Sequence, residues 1–148
     1  MELWDAYDVR GNSLEHTLIR GEEVPAGEYH LVADILVRHT DGSFLLTQRD
    51  PQKPAFPGCW ELSAGGSVLA GETALSGAMR ELREETGIQA DALAPAFEIT
   101  WPGRHAIYHG YVCRYAGDKE AVTRQPGETG AYRWLTLPEL LAFMNDPA

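Results

Sequence analysis

The amino-acid sequence predicts an α/β layered fold built on a mixed β-sheet. Strand-like runs rich in Val, Ile, Leu and aromatic residues occupy both halves of the chain. One strongly periodic helix lies between them, and a short helix closes the sequence. With 148 residues, 44% of them hydrophobic, the chain is long enough to bury one substantial core, and a single domain over 1–148 is expected.

The elements follow in order. The segment 2-ELWDAYD-8 and the turn residues of 9-VRGNS-13 suit one arm of a hairpin, within an N-terminal extension over 1–29. The run 30-HLVADILVRH-39 suits a buried strand; 40-TDGS-43 turns the chain, and 44-FLLTQR-49 returns as its partner. Three prolines in 50-DPQKPAFPG-58 prevent a strand, so this stretch is an irregular connection of the kind that carries binding residues. From Glu72 to Thr86, the residues Leu75, Ala78, Met79 and Leu82 recur at helical spacing, and Gly87 supplies the stop. Next, 97-FEITW-101 and 106-AIYHGYVCRY-115 are two strands about the 102-PGRH-105 turn. The stretch 131-AYRWLTL-137 is the last strand, and Pro138 opens a closing helix, 138-PELLAFM-144.

Composition excludes several function classes. Twenty-two acidic residues against twelve basic ones give a net charge of −10, and Lys53 and Lys119 are the only lysines. No basic stripe exists to neutralise a long nucleic-acid backbone. A small anionic substrate remains compatible if metal ions and a few arginines stand where its phosphates go. Cys59 and Cys113 are too few for a disulfide framework and are read as reduced thiols. No apolar run approaches the roughly 18 residues of a membrane span, and the N-terminus lacks a leader pattern, so the expected location is the cytoplasm. Edge strands near the N-terminus suit a homodimer.

The chemistry concentrates on the central helix. Helical spacing puts Glu81 and Glu85 one turn apart at the flank of the apolar stripe, with Glu84 further round. Like charges so placed repel by roughly 0.2–0.5 kcal/mol per pair. Either solvent and arginines offset that repulsion, Arg80 pairing with Glu84, or the acids hold a cation. An oxygen-only set suits Mg2+ or Mn2+. The adjacent glycines of 64-AGG-66 let the backbone approach a metal or phosphate closely.

The full spacing shifts the balance between these. Gly66, five residues, Glu72, seven residues, Arg80-Glu81-Leu82, one residue, Glu84-Glu85, one residue, Gly87-Ile88 resembles the signature of the Nudix hydrolases at every fixed position. The resemblance extends from about His30 onward, through 44-FLLTQR-49, 57-PGCW-60 and 132-YRWLTLPEL-140. The N-terminal extension 2-ELWDAYDVRGN-12, with the 45-LLTQR-49 to 57-PGCW-60 stretch, looks most like the branch related to isopentenyl-diphosphate isomerase, which contains both hydrolases and isomerases. It implies an α/β/α sandwich with a central loop–helix–loop that binds divalent metal at a diphosphate. Glu81, Glu84 and Glu85 match the family's metal-binding glutamates, and the carbonyl of Gly65 is a further possible ligand. Arg80 matches an arginine that orients these carboxylates, and Glu72 a residue that braces the loop onto the helix. A glutamate before the last strand serves as ligand or base in several members, and Glu128 is the candidate here; Glu81 is the other candidate base.

The implied activity is Mg2+-dependent (or Mn2+-dependent) hydrolysis of the P–O–P bond of a nucleoside diphosphate linked to another moiety. Arg49, Lys53, Trp60 and Gly66 are the candidate substrate contacts, with Trp101 or Tyr108 as further stacking surfaces. Two alternatives are an isopentenyl-diphosphate isomerase-like enzyme and a silent nucleotide-binding module. The isomerase pattern places a catalytic cysteine near Gly65 and a metal-binding histidine near Ser67, and neither residue type is present there. A silent module is expected to have lost one of the glutamates, and all are intact.

Overall fold

The computed structural model describes residues 1–146; Pro147 and Ala148, the last two residues of the expected domain, lie outside the described residues. Strands β1 (Leu3–Tyr7) and β2 (Ser13–Ile19) form the expected N-terminal hairpin as a separate two-stranded antiparallel sheet. Trp4, Ala6 and Leu18 bury together on its inner side with Val24 and Leu69. The Trp4 ring stacks on the buried His30 ring at a centroid distance of 3.8 Å, so the hairpin is anchored to the rest of the chain.

The principal sheet is built on β3 (His30–His39), a ten-residue strand whose alternate residues Ala33, Ile35 and Val37 are fully buried. It meets β4 (Phe44–Arg49) through the expected turn, but their ladder is a single register pair, Arg38 opposite Phe44. The 64-AGG-66 stretch, to which the sequence assigned no element, is a strand. β5 (Trp60–Leu62) pairs with β4, and β6 (Ala64–Ser67) takes the rest of β3, with Ala33 opposite Gly66 and Asp34 opposite Gly65. Helix α1 (Ala74–Thr86) follows.

β7 (Ala94–Trp101) and β8 (Ala106–Tyr115) form the second expected hairpin, and β8 runs parallel to β3 along its whole length. β9 (Thr129–Leu135) pairs with β4 before the closing helix α2 (Leu137–Met144). One parallel pair among antiparallel ones makes the sheet mixed, as predicted. Consecutive residues on β4 show the layering. Leu45 packs in the cluster that includes Ala78 and Leu82 of α1, whereas Leu46 packs with Leu135 and Leu140 beneath α2. Because side chains alternate along a strand, the two helices lie on opposite faces of the sheet.

The helix starts two residues later than the apolar spacing suggested. Thr73 is the N-cap, accepting from the Ser76 backbone N–H at 3.0 Å while Ser76 Oγ accepts from the Thr73 N–H at 2.9 Å. Glu72 is therefore outside the helix. Gly87, at φ 77, ends it in the left-handed conformation that glycine adopts without strain. Of the predicted stripe, Ala78 and Leu82 are fully buried and Met79 is half-buried, but Leu75 is 42% exposed. Leu75 shares the angular position of Leu82, yet it sits in the first turn, ahead of the buried stretch. Gly77 and Thr86 complete the buried side.

Candidate active site

One cleft of about 710 Å³ is lined by Arg49, Lys53, Trp60, Gly65, Gly66, Arg80, the α1 acids and Glu128, whereas Glu72 and Trp101 lie outside its lining. Its floor is the β6–α1 unit. A Cβ added at Gly66 would lie 2.5 Å from the Glu81 carboxylate, and one at Gly65 would lie 2.6 Å from Asp34 Oδ1. Two consecutive glycines thus let two carboxylates from different elements press against one strand. The Gly65 backbone N–H donates to Glu85 Oε2 at 3.0 Å.

Arg80 organises this floor. Its Nε and Nη2 hold the two oxygens of Glu72 at 2.7 and 3.0 Å, and Nη2 also donates to the Ser67 carbonyl at 3.1 Å. Its Nη1 donates to Glu81 at 3.0 Å and to Glu84 at 3.2 Å. Glu72 in turn accepts from the Leu69 N–H at 2.8 Å, so one bidentate pair ties the preceding loop onto the helix. The N-terminal hairpin braces the same loop, because Asp5 accepts from the Gly71 N–H at 2.8 Å and the Leu3 carbonyl from the Ala70 N–H at 2.9 Å.

The acids carry a large electrostatic load. Burial, together with the neighbouring Glu81, Glu61 and Glu128 charges, pushes the Glu85 carboxyl up to about 8 despite the Gly65 hydrogen bond. Burial raises Glu81 above the usual carboxylate range even with Arg80 beside it. Burial also raises Asp34 to about 6 and lifts Glu61. Glu72 behaves oppositely: burial works to raise it, but Arg80 and the Leu69 N–H hold it below its ordinary value. Glu72 is thus a brace with its charge compensated by Arg80, whereas Glu85 has a backbone hydrogen bond but no partner cation, so burial favours its protonated form.

Among the described residues, no three His, Cys, Asp or Glu side chains converge into a closed metal-binding cluster. Arg80 draws Glu81 and Glu84 toward itself, while Glu85 is turned to Gly65. The donor set nevertheless fits a hard divalent cation in kind. It is all oxygen, lies on one cleft wall, and includes a buried acid, Glu85, that has no cationic side-chain partner among the described residues.

The remaining candidates are less free than the sequence suggested. Lys53 and Glu128 form an ion pair with each other. Arg49 donates through Nε to the Ala55 carbonyl at 3.0 Å and faces Glu61 at 3.7 Å, so it ties down the proline-rich loop. Trp60 packs against the α2-side cluster with the Arg133 guanidinium 4.6 Å from its ring centre. Tyr108 lines the cleft; Trp101 does not. Cys59 is exposed and Cys113 buried, both free.

Sequence reasoning missed Asp34, Glu61, Phe56 and Arg104, all of which line the cleft. Only Asp34 left a signal, as a lone carboxylate inside the apolar run 30-HLVADILVRH-39.

A mixed sheet between two helices carries, in one cleft, a glycine-walled, arginine-organised acidic helix whose oxygen donors suit a hard divalent cation in kind. A NUDIX domain is matched over residues 28–148, and the chain belongs to the Nudix hydrolase family. An uncharacterised Nudix hydrolase of Listeria monocytogenes is 41% identical over 98% of this chain and 86% of its own length. The crystal structure of DR0079 from Deinococcus radiodurans superimposes with a TM-score of 0.76 at 26% identity, covering 97% of this chain and 88% of that one. Isopentenyl-diphosphate Delta-isomerase of Klebsiella pneumoniae is 30% identical over 76% of this chain and 64% of its own length.

Proposed function

We propose that this enzyme hydrolyses the P–O–P bond of a nucleoside diphosphate linked to a further moiety, with Mg2+ or Mn2+ held by Glu81, Glu84, Glu85 and the Gly65 carbonyl. The observation that carries the reading is the uncompensated acid at Glu85. A buried carboxyl raised to about 8, with two further acids on the same wall, is a costly arrangement that a cation would offset. When bound, such a cation neutralises phosphate charge and lowers the pKa of coordinated water.

The protein's own groups supply the rest. Arg80 positions Glu81 and Glu84 while its bond to Glu72 fixes it to the loop. Glu81 is the better supported base: burial raises it above the usual carboxylate range, so it accepts a proton more readily than an exposed acid. Glu128 is the second candidate, and its pairing with Lys53 commits it to a cation already. The water oxygen attacks one phosphorus, its proton passes to the base, and the bridging oxygen leaves with the other phosphoryl group. Two phosphate-bearing fragments result.

Neighbours related in fold alone were crystallised with ADP ribose and as an Ap4A hydrolase complex, in keeping with a nucleotide derivative as substrate. No described helix is long and apolar enough to cross a membrane, and we place the enzyme in the cytoplasm. The isomerase alternative gains nothing from the site, because positions 65 and 67 are glycine and serine on β6.

Phosphate release through a coupled phosphatase, over a panel of nucleoside diphosphate derivatives with and without Mg2+, tests the reading. Metal-dependent turnover of one substrate class is expected. Turnover unaffected by EDTA, or none across the panel, would overturn it.

A further inference from the structure

Almost every cation lining the cleft is already committed to an acid. Arg80 serves Glu72, Glu81 and Glu84; Lys53 pairs with Glu128; Arg20 meets Glu2 at 3.0 Å; Arg49 faces Glu61 at 3.7 Å. Among the described cleft-lining cations, Arg104 alone has no carboxylate partner. Its guanidinium lies instead 4.7 Å from the Trp101 ring centre and 5.8 Å from that of Phe56. An aromatic face attracts a guanidinium without occupying its N–H donors. Arg104 therefore presents an uncommitted planar fork in a cleft otherwise rich in paired or uncompensated carboxylates.

Both sides of this arrangement are held in place. Arg104 ends a 3-10 turn, Pro102–Arg104, closed by His105 at φ 51, whose N–H donates to the Pro102 carbonyl at 3.1 Å. The His105 carbonyl accepts from the His30 N–H at 2.9 Å, and its Nδ1 lies 3.0 Å from the Glu28 carbonyl oxygen. Phe56, on the proline-rich loop, holds φ 50, a left-handed backbone that bulky residues rarely adopt and that functional loops retain. Arg104 thus joins two cleft-edge segments while its charge stays unused.

We propose that Arg104 is the receptor for a phosphoryl group of the substrate distinct from the diphosphate at the α1 acids, so that the enzyme selects substrates bearing a further phosphate. This rests on the reading of the cleft as a site of P–O–P hydrolysis. Arg104 belongs to the β7–β8 turn and rests on Phe56 of the proline-rich loop, so it enters the cleft from elements other than the α1 helix that carries the acids. A guanidinium fork matches phosphate oxygens bidentately, and a single uncompensated cation in an acidic cleft discriminates by charge as well as by shape.

Two measurements test the proposal. In the first, a substrate the wild type turns over is compared with the same molecule carrying one added phosphomonoester. Arg104→Ala is expected to raise KM for the phosphorylated form about ten- to hundredfold, the effect of one charge-assisted contact. Its kcat should stay within about twofold, and KM for the parent should not move. Arg104→Lys should recover part of the loss. Equal effects on both substrates, or none on either, would overturn the proposal.

The second measurement needs no turnover. Magnesium triphosphate is titrated against tryptophan fluorescence, with Trp101→Phe identifying the reporter. The wild type should give a saturable change that Arg104→Ala abolishes; no saturable change in the wild type would overturn the proposal. Binding lost in Arg104→Ala, with no turnover of any diphosphate, would sink the hydrolase reading and leave Arg104 as an anion receptor.

Discussion

Replacing Glu85 by Gln should make the metal-free protein more stable and the enzyme inactive. Gln retains an oxygen to accept the Gly65 N–H and nearly the same shape, but it removes a carboxyl whose folded-state pKa is raised to about 8. The sign follows from linkage. A carboxyl that holds its proton more tightly when folded favours folding least when that proton must be lost, so its penalty is absent below the unfolded value near 4.5 and grows as pH rises toward 8. At pH 7 the difference between these values corresponds to about 3 kcal/mol. For a chain of this size that is about 6–12 °C in melting temperature.

Thermal unfolding in EDTA, from pH 4 to pH 8, measures it. The advantage of Glu85→Gln should be near zero at pH 4 and largest at pH 8. Added Mg2+ at about a hundred times its dissociation constant should then stabilise the wild type by about 2.7 kcal/mol and leave the variant unmoved. A variant less stable than the wild type at pH 8 in EDTA, or one equally stabilised by Mg2+, would refute the reasoning.

Two further outcomes follow from the same structure. Gly66→Ala puts a methyl where the Glu81 carboxylate lies, 2.5 Å away; because Glu81 can swing aside, melting temperature should hold while metal-dependent kcat falls at least about tenfold, and unimpaired turnover would show that Glu81 need not sit there. Burial lowers His30 from 6.5 to about 4, so its contribution to stability is intact above 6.5 and fades as pH falls toward 4, by about 3 kcal/mol in all; His30→Phe, which keeps a ring against Trp4, should flatten that part of the pH–stability profile, and an unchanged profile would contradict the buried neutral imidazole.

What could be read in advance depended on how local each feature is. The α1 acids were legible because helical geometry relates Glu81, Glu84 and Glu85 directly, and because Gly66 and Glu72 sit at fixed distances along the chain. Glu128, chosen as a glutamate before the last strand, lies in the same cleft, and only the folded chain brings it against Lys53, 75 positions earlier. The β5–β6 segment was not legible. Its two glycines look like a loop, and only pairing with β3 and the pressure of Asp34 and Glu81 on either side make them strand residues. Leu75 was misplaced because periodicity gives an angle and not the extent of cover over the first turn. Arg104 and Phe56 left no trace, since a guanidinium held by rings from two separate segments has no spacing in sequence.

The central claim is that Glu81, Glu84 and Glu85 hold the catalytic cation. Anomalous diffraction from crystals soaked with Mn2+ and a non-hydrolysable diphosphate tests it most directly. The account predicts a manganese peak ligated by these carboxylates with the diphosphate beside it; a peak elsewhere in the cleft, with the three glutamates still bound to Arg80 and Gly65, would contradict it.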